Sequence, residues 1–274
     1  MFLGVNNWLV GQNGTAVAIG ARSLGLGGAA VTFSSVNSVF SNQAGLVGIR
    51  NTSYSINSEQ RFLLNEIRAV SAAVAHSFGK TGTLGLGVQY FGFSAYNEQR
   101  ISLGYGRKLG DNFAIGTSLI WSNTAIPEYG NKGVFTFDIG MMAYISPKVS
   151  LGVEIFNPLR VKITDDESLP AVLKIGFLYR PSKVVRIMAE VEKDIQFGLR
   201  THWGAEYDVL KQLVLRFGLT TRPAEFSFGF GYKVKDKLRI DVAASYHQVL
   251  GVTPALSIVF QSQIAKPEAK RRDW

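Results

Sequence analysis

Cysteine is absent from the 274 residues. That excludes a disulfide scaffold, thiolate metal sites and cysteine nucleophiles, and says nothing about compartment. Proline is scarce, 8 residues against 29 glycines. A Pro-rich disordered chain therefore does not fit, nor does collagen, which needs Gly at every third position. Charged residues make up 18%, below the usual quarter. No run approaches the ~18 uninterrupted apolar residues of a spanning helix, which excludes a helical membrane protein. Histidine is limited to His76, His202 and His247, with no H-x-x-E-H-like cluster, so no metal or other cofactor is expected. What the chain does have is 46% apolar residues, 12% aromatics and a net charge of +9. Such a balance points to nucleic acid only when Lys and Arg gather on one face, and here most do not.

Period-2 alternation runs almost continuously after residue 50, the mark of strands with two different faces. Phe226, Phe228, Phe230 and Tyr232 alternate with Ser227, Gly229 and Gly231. Leu84, Leu86, Val88 and Tyr90 alternate with Gly85, Gly87 and Gln89. Fourteen strands are expected, at about 51–60, 66–79, 82–95, 98–108, 112–123, 134–146, 149–157, 171–181, 184–193, 198–208, 212–221, 225–234, 237–248 and 253–264. The spacing of about 15 residues per strand and turn matches a membrane barrel whose spanning segments are ~10 residues long. An even count puts both chain ends on one side. Short connections such as Gly79–Gly82 and Ser146–Lys148 alternate with longer ones at 123–133, 157–170 and 247–253, as periplasmic turns alternate with outer loops. Tyr90, Trp121, Tyr144, Tyr179, Tyr207, Tyr232 and Tyr246 fall near strand ends, where interfacial girdles sit. A soluble β protein is the alternative. Its water-facing side would be rich in Lys and Glu, whereas here the second face is Gly, Ala and Ser with charges of both signs. That composition suits a crowded lumen.

The expected organisation is therefore all-β: a 14-stranded antiparallel transmembrane β-barrel over 51–264, with an N-terminal plug over 13–50. Residues 1–12 read as the remnant of a signal peptide, and 265–274 as a basic periplasmic tail. Candidate lumenal charges are Asp138, Glu154, Lys174, Arg186, Glu190, Arg200, His202, Glu206, Arg216 and Asp241. They line an ion-selective pore or form cross-strand ion pairs, and their mixed signs favour the second. Ser245 and His247 share a face about 7 Å apart, too far for a nucleophile–base hydrogen bond, so no enzyme is expected.

Residues 13–50 lack clean alternation. Gly25, Gly27 and Gly28 do not have the spacing of a nucleotide-binding loop, and no strand–helix–strand unit surrounds them. Gly20-Ala21-Arg22-Ser23-Leu24-Gly25-Leu26-Gly27-Gly28-Ala29, followed by Asn42-Gln43-Ala44-Gly45-Leu46, resembles the plug region of the FadL-like outer-membrane family. Within it the chain is most similar to the PorV/PorQ-type branch of type IX secretion in the Bacteroidota. Gln43 stands where that pattern has Pro, and Leu26 where it has Met. The resemblance implies fourteen strands, a plug and an outer-membrane location with periplasmic termini. Independently of it, glycine lets a plug backbone turn tightly and approach the wall. Arg22 in a lumen needs a partner among Asp138, Glu154, Glu190, Glu206 and Asp241; in a loop it would simply be solvated. Two functions follow from the resemblance. The preferred one is a non-catalytic subunit of an outer-membrane secretion or barrel-assembly complex. The other is a passive channel for hydrophobic molecules such as fatty acids. Expected partners are outer-membrane lipids, lipopolysaccharide, other outer-membrane or periplasmic proteins and a hydrophobic ligand, with no nucleic acid.

Overall fold

A computed structural model describes residues 19–127, 130–163, 168–234 and 237–262. The segments read as signal remnant and tail lie outside the described residues. Fourteen strands run Thr52–Gln60 (β1), Arg68–Ser77 (β2), Thr83–Phe93 (β3), Tyr96–Leu109 (β4), Phe113–Ile126 (β5), Gly130–Tyr144 (β6), Val149–Phe156 (β7), Val172–Tyr179 (β8), Val185–Asp194 (β9), Arg200–Asp208 (β10), Leu213–Thr220 (β11), Glu225–Val234 (β12), Leu238–His247 (β13) and Gly251–Gln261 (β14). Each pairs antiparallel with its sequence neighbour. β1 closes on β14 from Ser53↔Gln261 to Glu59↔Ala255. Closure leaves no edge strand, so the ladder satisfies the backbone polar groups around the whole wall.

Alternation decides which side each residue faces. Outward residues are apolar and exposed: Leu103 at 52%, Phe228 at 55% and Phe135 at 64%. Inward residues such as Ser102, Ser118 and Asp138 are buried at 1%. A soluble barrel has the reverse arrangement, and an apolar exterior of this kind is stable against lipid. Tyr144, Tyr179, Tyr207 and Tyr232 lie near the end where the wall begins and finishes, here the terminus end; Tyr90, Trp121, Trp203 and Tyr246 lie toward the far end.

Two of the far-end connections are shorter than the sequence suggests. Residues 123–126 and 130–133 are strand, not loop: the β5–β6 ladder continues from Ser122↔Val134 to Ile126↔Gly130. Polar residues there keep the backbone pairing after the apolar stripe has ended, because the ladder needs no apolar side chain. β14 starts at Gly251, which leaves 248–250 as the last turn instead of 247–253. The longest connection, 157–171, is knitted by fully buried Asn157. Its amide donates to the Leu169 and Pro170 carbonyls, and its Oδ1 accepts from Thr136 Oγ1 and the Val161 N–H.

Residues 19–50 lie inside the wall. A single helical turn, Ala21–Leu24 (α1), packs on β12–β14, and the 3-10 turns Val36–Phe40 and Gln43–Gly48 pack on β1–β6. Between them, Ala30 and Val31 bond to β9. The main hydrophobic clusters form where this inner segment meets the wall: Val36, Val39, Phe40 and Leu46 against Ala73, Ala75 and Val259, and Leu26, Ala29 and Phe33 against Leu178 and Met188.

Candidate functional site

The lumen is where the chain's polar chemistry collects, and the inner segment occupies its middle. The close approach depends on inward wall glycines. A side chain at Gly218 would come 2.0 Å from the Gly27 nitrogen, at Gly116 2.4 Å from the Ala44 nitrogen, and at Gly152 2.5 Å from the Val31 oxygen. Several of these glycines face each other across strand pairs: Gly85↔Gly104, Gly106↔Gly116, Gly116↔Gly140, Gly152↔Gly176 and Gly204↔Gly218. The small second face seen in the sequence is thus a collar of backbone against which the inner segment lies.

The motif residues make specific contacts. Gly20 precedes α1 at φ 102°, and the Ala21 N–H donates to Ser257 Oγ at 2.7 Å. Gly25 approaches the Gly229 Cα. Gly27 and Gly28 both have positive φ, 65° and 87°, where a side chain is strained. The Asn42 amide donates to the Val31 and Met141 carbonyls, and its Oδ1 accepts the Ala44 N–H. Gly45 lies under the Phe33 carbonyl, with room for no side chain. Gln43, in the place of Pro, donates to Asp138 Oδ2 at 3.3 Å.

Of the five acids offered to Arg22, Glu206 takes it. The guanidinium binds both carboxylate oxygens at 3.0 Å and lies over the Phe33 ring, so Arg22 is not a solvated loop charge. Burial alone would lower the Arg22 pKa, but the Glu206 carboxylate outweighs it and holds the guanidinium above its ordinary value. Glu206 also meets Arg216 at 2.7 Å and Arg186 at 3.2 Å. Arg216 continues to Asp241 at 2.9 Å, which Arg239 joins at 2.7 Å, and Arg186 reaches Asp208 at 2.6 Å. This network spans β9–β13 and anchors α1.

A second group surrounds Glu192, which the candidate list omitted although it shares a face with Arg186 and Glu190. Lys174, Arg200 and His202 approach its carboxylate at 3.6, 3.4 and 3.6 Å. Glu190 accepts the Ala30 and Val31 N–H groups at 2.8 and 2.9 Å. His202 Nδ1 meets the Gly27 carbonyl at 2.6 Å. Among the described residues Asp138 and Glu154 make no ion pair with either network, although Glu154 stands opposite Lys174 across the β7–β8 ladder. Asp138 takes contacts from Gln43 and Ser118, and among the described residues none donates a hydrogen bond to either Glu154 oxygen.

Asp208, Ser257 and Thr220 also serve the inner segment or its anchors, and parity was the only signal for them. His247 does not address Ser245: its Nδ1 accepts the Val249 and Leu250 N–H groups and caps the last turn. One cavity beside the inner segment opens at the far end, and another lies among wall residues at the terminus end. The far-end one, about 130 Å³, is lined by Arg61, Phe62, Arg200, His202, Thr220 and Glu225 among others. The terminus-end one, about 270 Å³, is lined mainly by Lys211, Lys233, Lys237 and Arg239.

No protein-family model matches the chain, and no curated protein sequence does either. Solved structures do. The toluene transporter TbuX of Ralstonia pickettii superposes with a TM-score of 0.70 at 12% identity, covering 90% of this chain and 99% of its own. The toluene transporter TodX of P. putida gives 0.68 at 11%, covering 91% and 100%. A FadL homologue of Pseudomonas aeruginosa gives 0.65 at 11%, covering 89% and 98%. At such identities the likeness establishes the fold: a closed 14-stranded antiparallel barrel.

Proposed function

We propose that the protein is a passive outer-membrane channel for small hydrophobic molecules, with residues 13–50 as its plug and both termini periplasmic. The observation that carries this reading is the extent of the fold likeness. About nine-tenths of the chain superposes on nearly the whole of barrels described as toluene transporters and a FadL homologue. An apolar exterior, a closed wall and a separate inner segment are the parts such a channel needs. The surrounding lipid and lipopolysaccharide are the partners that the belt implies. No catalytic residue is assigned in this reading.

The inner segment fills the middle of the lumen, so conduction requires it to shift. The test is uptake of labelled toluene and of labelled oleate by a Gram-negative host deleted for its own hydrophobic channels. Uptake above the empty-vector level supports the channel, and uptake at the vector level of a barrel verified as folded overturns it.

One feature favours the other reading, a non-catalytic subunit of a secretion or barrel-assembly complex of the PorV type. The far-end connections are short, and Asn157 binds the longest one down, which leaves little loop surface for substrate capture. Extraction in mild detergent followed by pull-down separates the two. A stoichiometric complex supports the subunit, and a lone barrel supports the channel.

A further inference from the structure

We propose that Glu190, Glu192 and His202 bind one divalent transition-metal ion, with zinc the best match by ligand type, and that this ion fastens the inner segment to the wall. One ligand atom from each side chain lies within 4.8 Å of the other two. His202 is nine-tenths buried, yet its Nε2 has no hydrogen-bond partner and points at Glu192 Oε2, 3.6 Å away. The Gly27 carbonyl can only accept, so the 2.6 Å contact places a proton on Nδ1. In the neutral ring this leaves the Nε2 lone pair facing a carboxylate oxygen, two acceptors with nothing between them. A cation resolves that opposition. Bonds of ~2.0–2.1 Å at tetrahedral angles separate ligand atoms by about 3.4 Å, close to the 3.6 Å between His202 Nε2 and Glu192 Oε2, with Glu190 within 4.8 Å of both.

The outer contacts fit a metal site. A ligating histidine usually donates its other N–H to a carbonyl or carboxylate, and ligating carboxylates are themselves hydrogen-bonded. Here Gly27 holds the imidazole, the Ala30 and Val31 amides hold Glu190 Oε2, and Arg200 holds Glu192 Oε1. Two of the three ligands are therefore already tied to the inner segment. The cation would compete with Lys174, which lies 3.6 Å from Glu192 Oε2. Lys174 has somewhere to turn: it faces Glu154 directly across the β7–β8 ladder, and the buried Glu154 oxygens accept no hydrogen bond among the described residues. His202 also lines the far-end cavity, which gives an ion its entry and leaves room for a water as fourth ligand.

The experiment uses the full-length, untagged protein in detergent micelles, stripped by chelator and titrated with Co²⁺, then Zn²⁺. A one-to-one complex is expected, with the visible bands of four-coordinate cobalt that zinc abolishes. His202→Gln and Glu192→Gln are expected to weaken binding at least ~10-fold. His247→Gln, at the exposed turn, leaves it unchanged. Heat-modifiable gel mobility reports that each barrel is folded. Independently of any variant, Zn²⁺ is expected to slow tryptic cleavage after Arg22 in the wild-type protein. Absence of cobalt bands in the wild type overturns the proposal. So does a folded His202→Gln protein that binds as tightly as the wild type, or an Arg22 cleavage rate indifferent to zinc.

Discussion

On the β9–β13 side of the lumen, Glu206 meets three guanidiniums within 3.2 Å, one of them from the inner segment. On the β6–β7 side, Glu154 is buried just as deeply and accepts no hydrogen bond among the described residues. The inner segment touches both sides by different means. On the first it is held by charge: Arg22 on Glu206, and the amides of Ala30 and Val31 on Glu190. On the second it is held by shape and by uncharged donors: glycines at 116, 140 and 152 admit the backbone of residues 31 and 42–44, and the Asn42 and Gln43 amides donate to the Met141 carbonyl and to Asp138. The side rich in ion pairs is an anchor. The side of glycines is a smooth seat, and a segment that must shift would leave the seat before the anchor.

Breaking the anchor has the largest expected effect. Glu206→Gln removes the one anion shared by Arg22, Arg186 and Arg216; Arg216 keeps Asp241 and Arg186 keeps Asp208, but Arg22 loses the carboxylate it contacts, at a cost of about 3–5 kcal/mol. Urea unfolding in lipid vesicles, followed by tryptophan fluorescence, measures it. A loss below about 1 kcal/mol would mean that solvent already screens this network. Next comes a change that ignores the lumen altogether. Phe228→Arg puts a charge on the exposed lipid face near the middle of β12, for which the expected loss is ~2–4 kcal/mol at mid-depth. The same substitution in a soluble barrel would be harmless, so this variant tests the membrane reading by itself.

Spoiling a glycine contact on the anchored side should cost less than breaking its ion pairs. Gly218→Val drives a side chain into the backbone of Leu26 and Gly27, which has no rotamer with which to yield. The expected loss is about 1–3 kcal/mol. The inner segment should then be released, while the wall still folds. Trypsin is expected to cut after Arg22 in this variant faster than in the wild type, read by mass spectrometry, with the heat-modifiable gel shift retained. Cleavage at the wild-type rate would mean that the contact is not what holds residues 25–28.

These two regions were unequally legible in the sequence. The wall was readable nearly residue by residue, because a period of two is written directly in the order of side chains: Phe226 to Tyr232 alternate in the sequence as they do in space. The extra rungs from Asn123 to Ile126 were not, since a ladder of backbone bonds leaves no apolar signature. Parity placed Glu206 and Asp241 inward but could not choose Arg22's partner among five acids, because that depends on where a segment 184 residues away comes to rest. Glu192 was on the right face from the start. Only the cross-strand register, which sets Lys174 and Arg200 opposite it, makes it a hub. The glycines were visible as composition, while their use as a seat depends on contacts with residues far away in sequence. The plug-motif resemblance led the sequence reading to prefer a complex subunit; the fold likeness favours a channel.

The smallest expected effect is the one that sharpens the comparison most. Glu154→Gln keeps the volume and removes the charge of the carboxylate that accepts no hydrogen bond. If buried charge in this lumen contributes only where it is paired, the substitution relieves as much desolvation as it loses attraction to Lys174, and Lys174 still has Glu192 at 3.6 Å. Stability should then stay within about 1 kcal/mol of the wild type, against a several-fold larger loss for the chemically identical change at Glu206. Equal losses at the two positions would show that Lys174 already leans on Glu154 as heavily as Arg22 leans on Glu206. In that case the wall itself is tied by buried charge on both sides of the lumen, and only the contacts of the inner segment, not the charge of the wall, would distinguish seat from anchor.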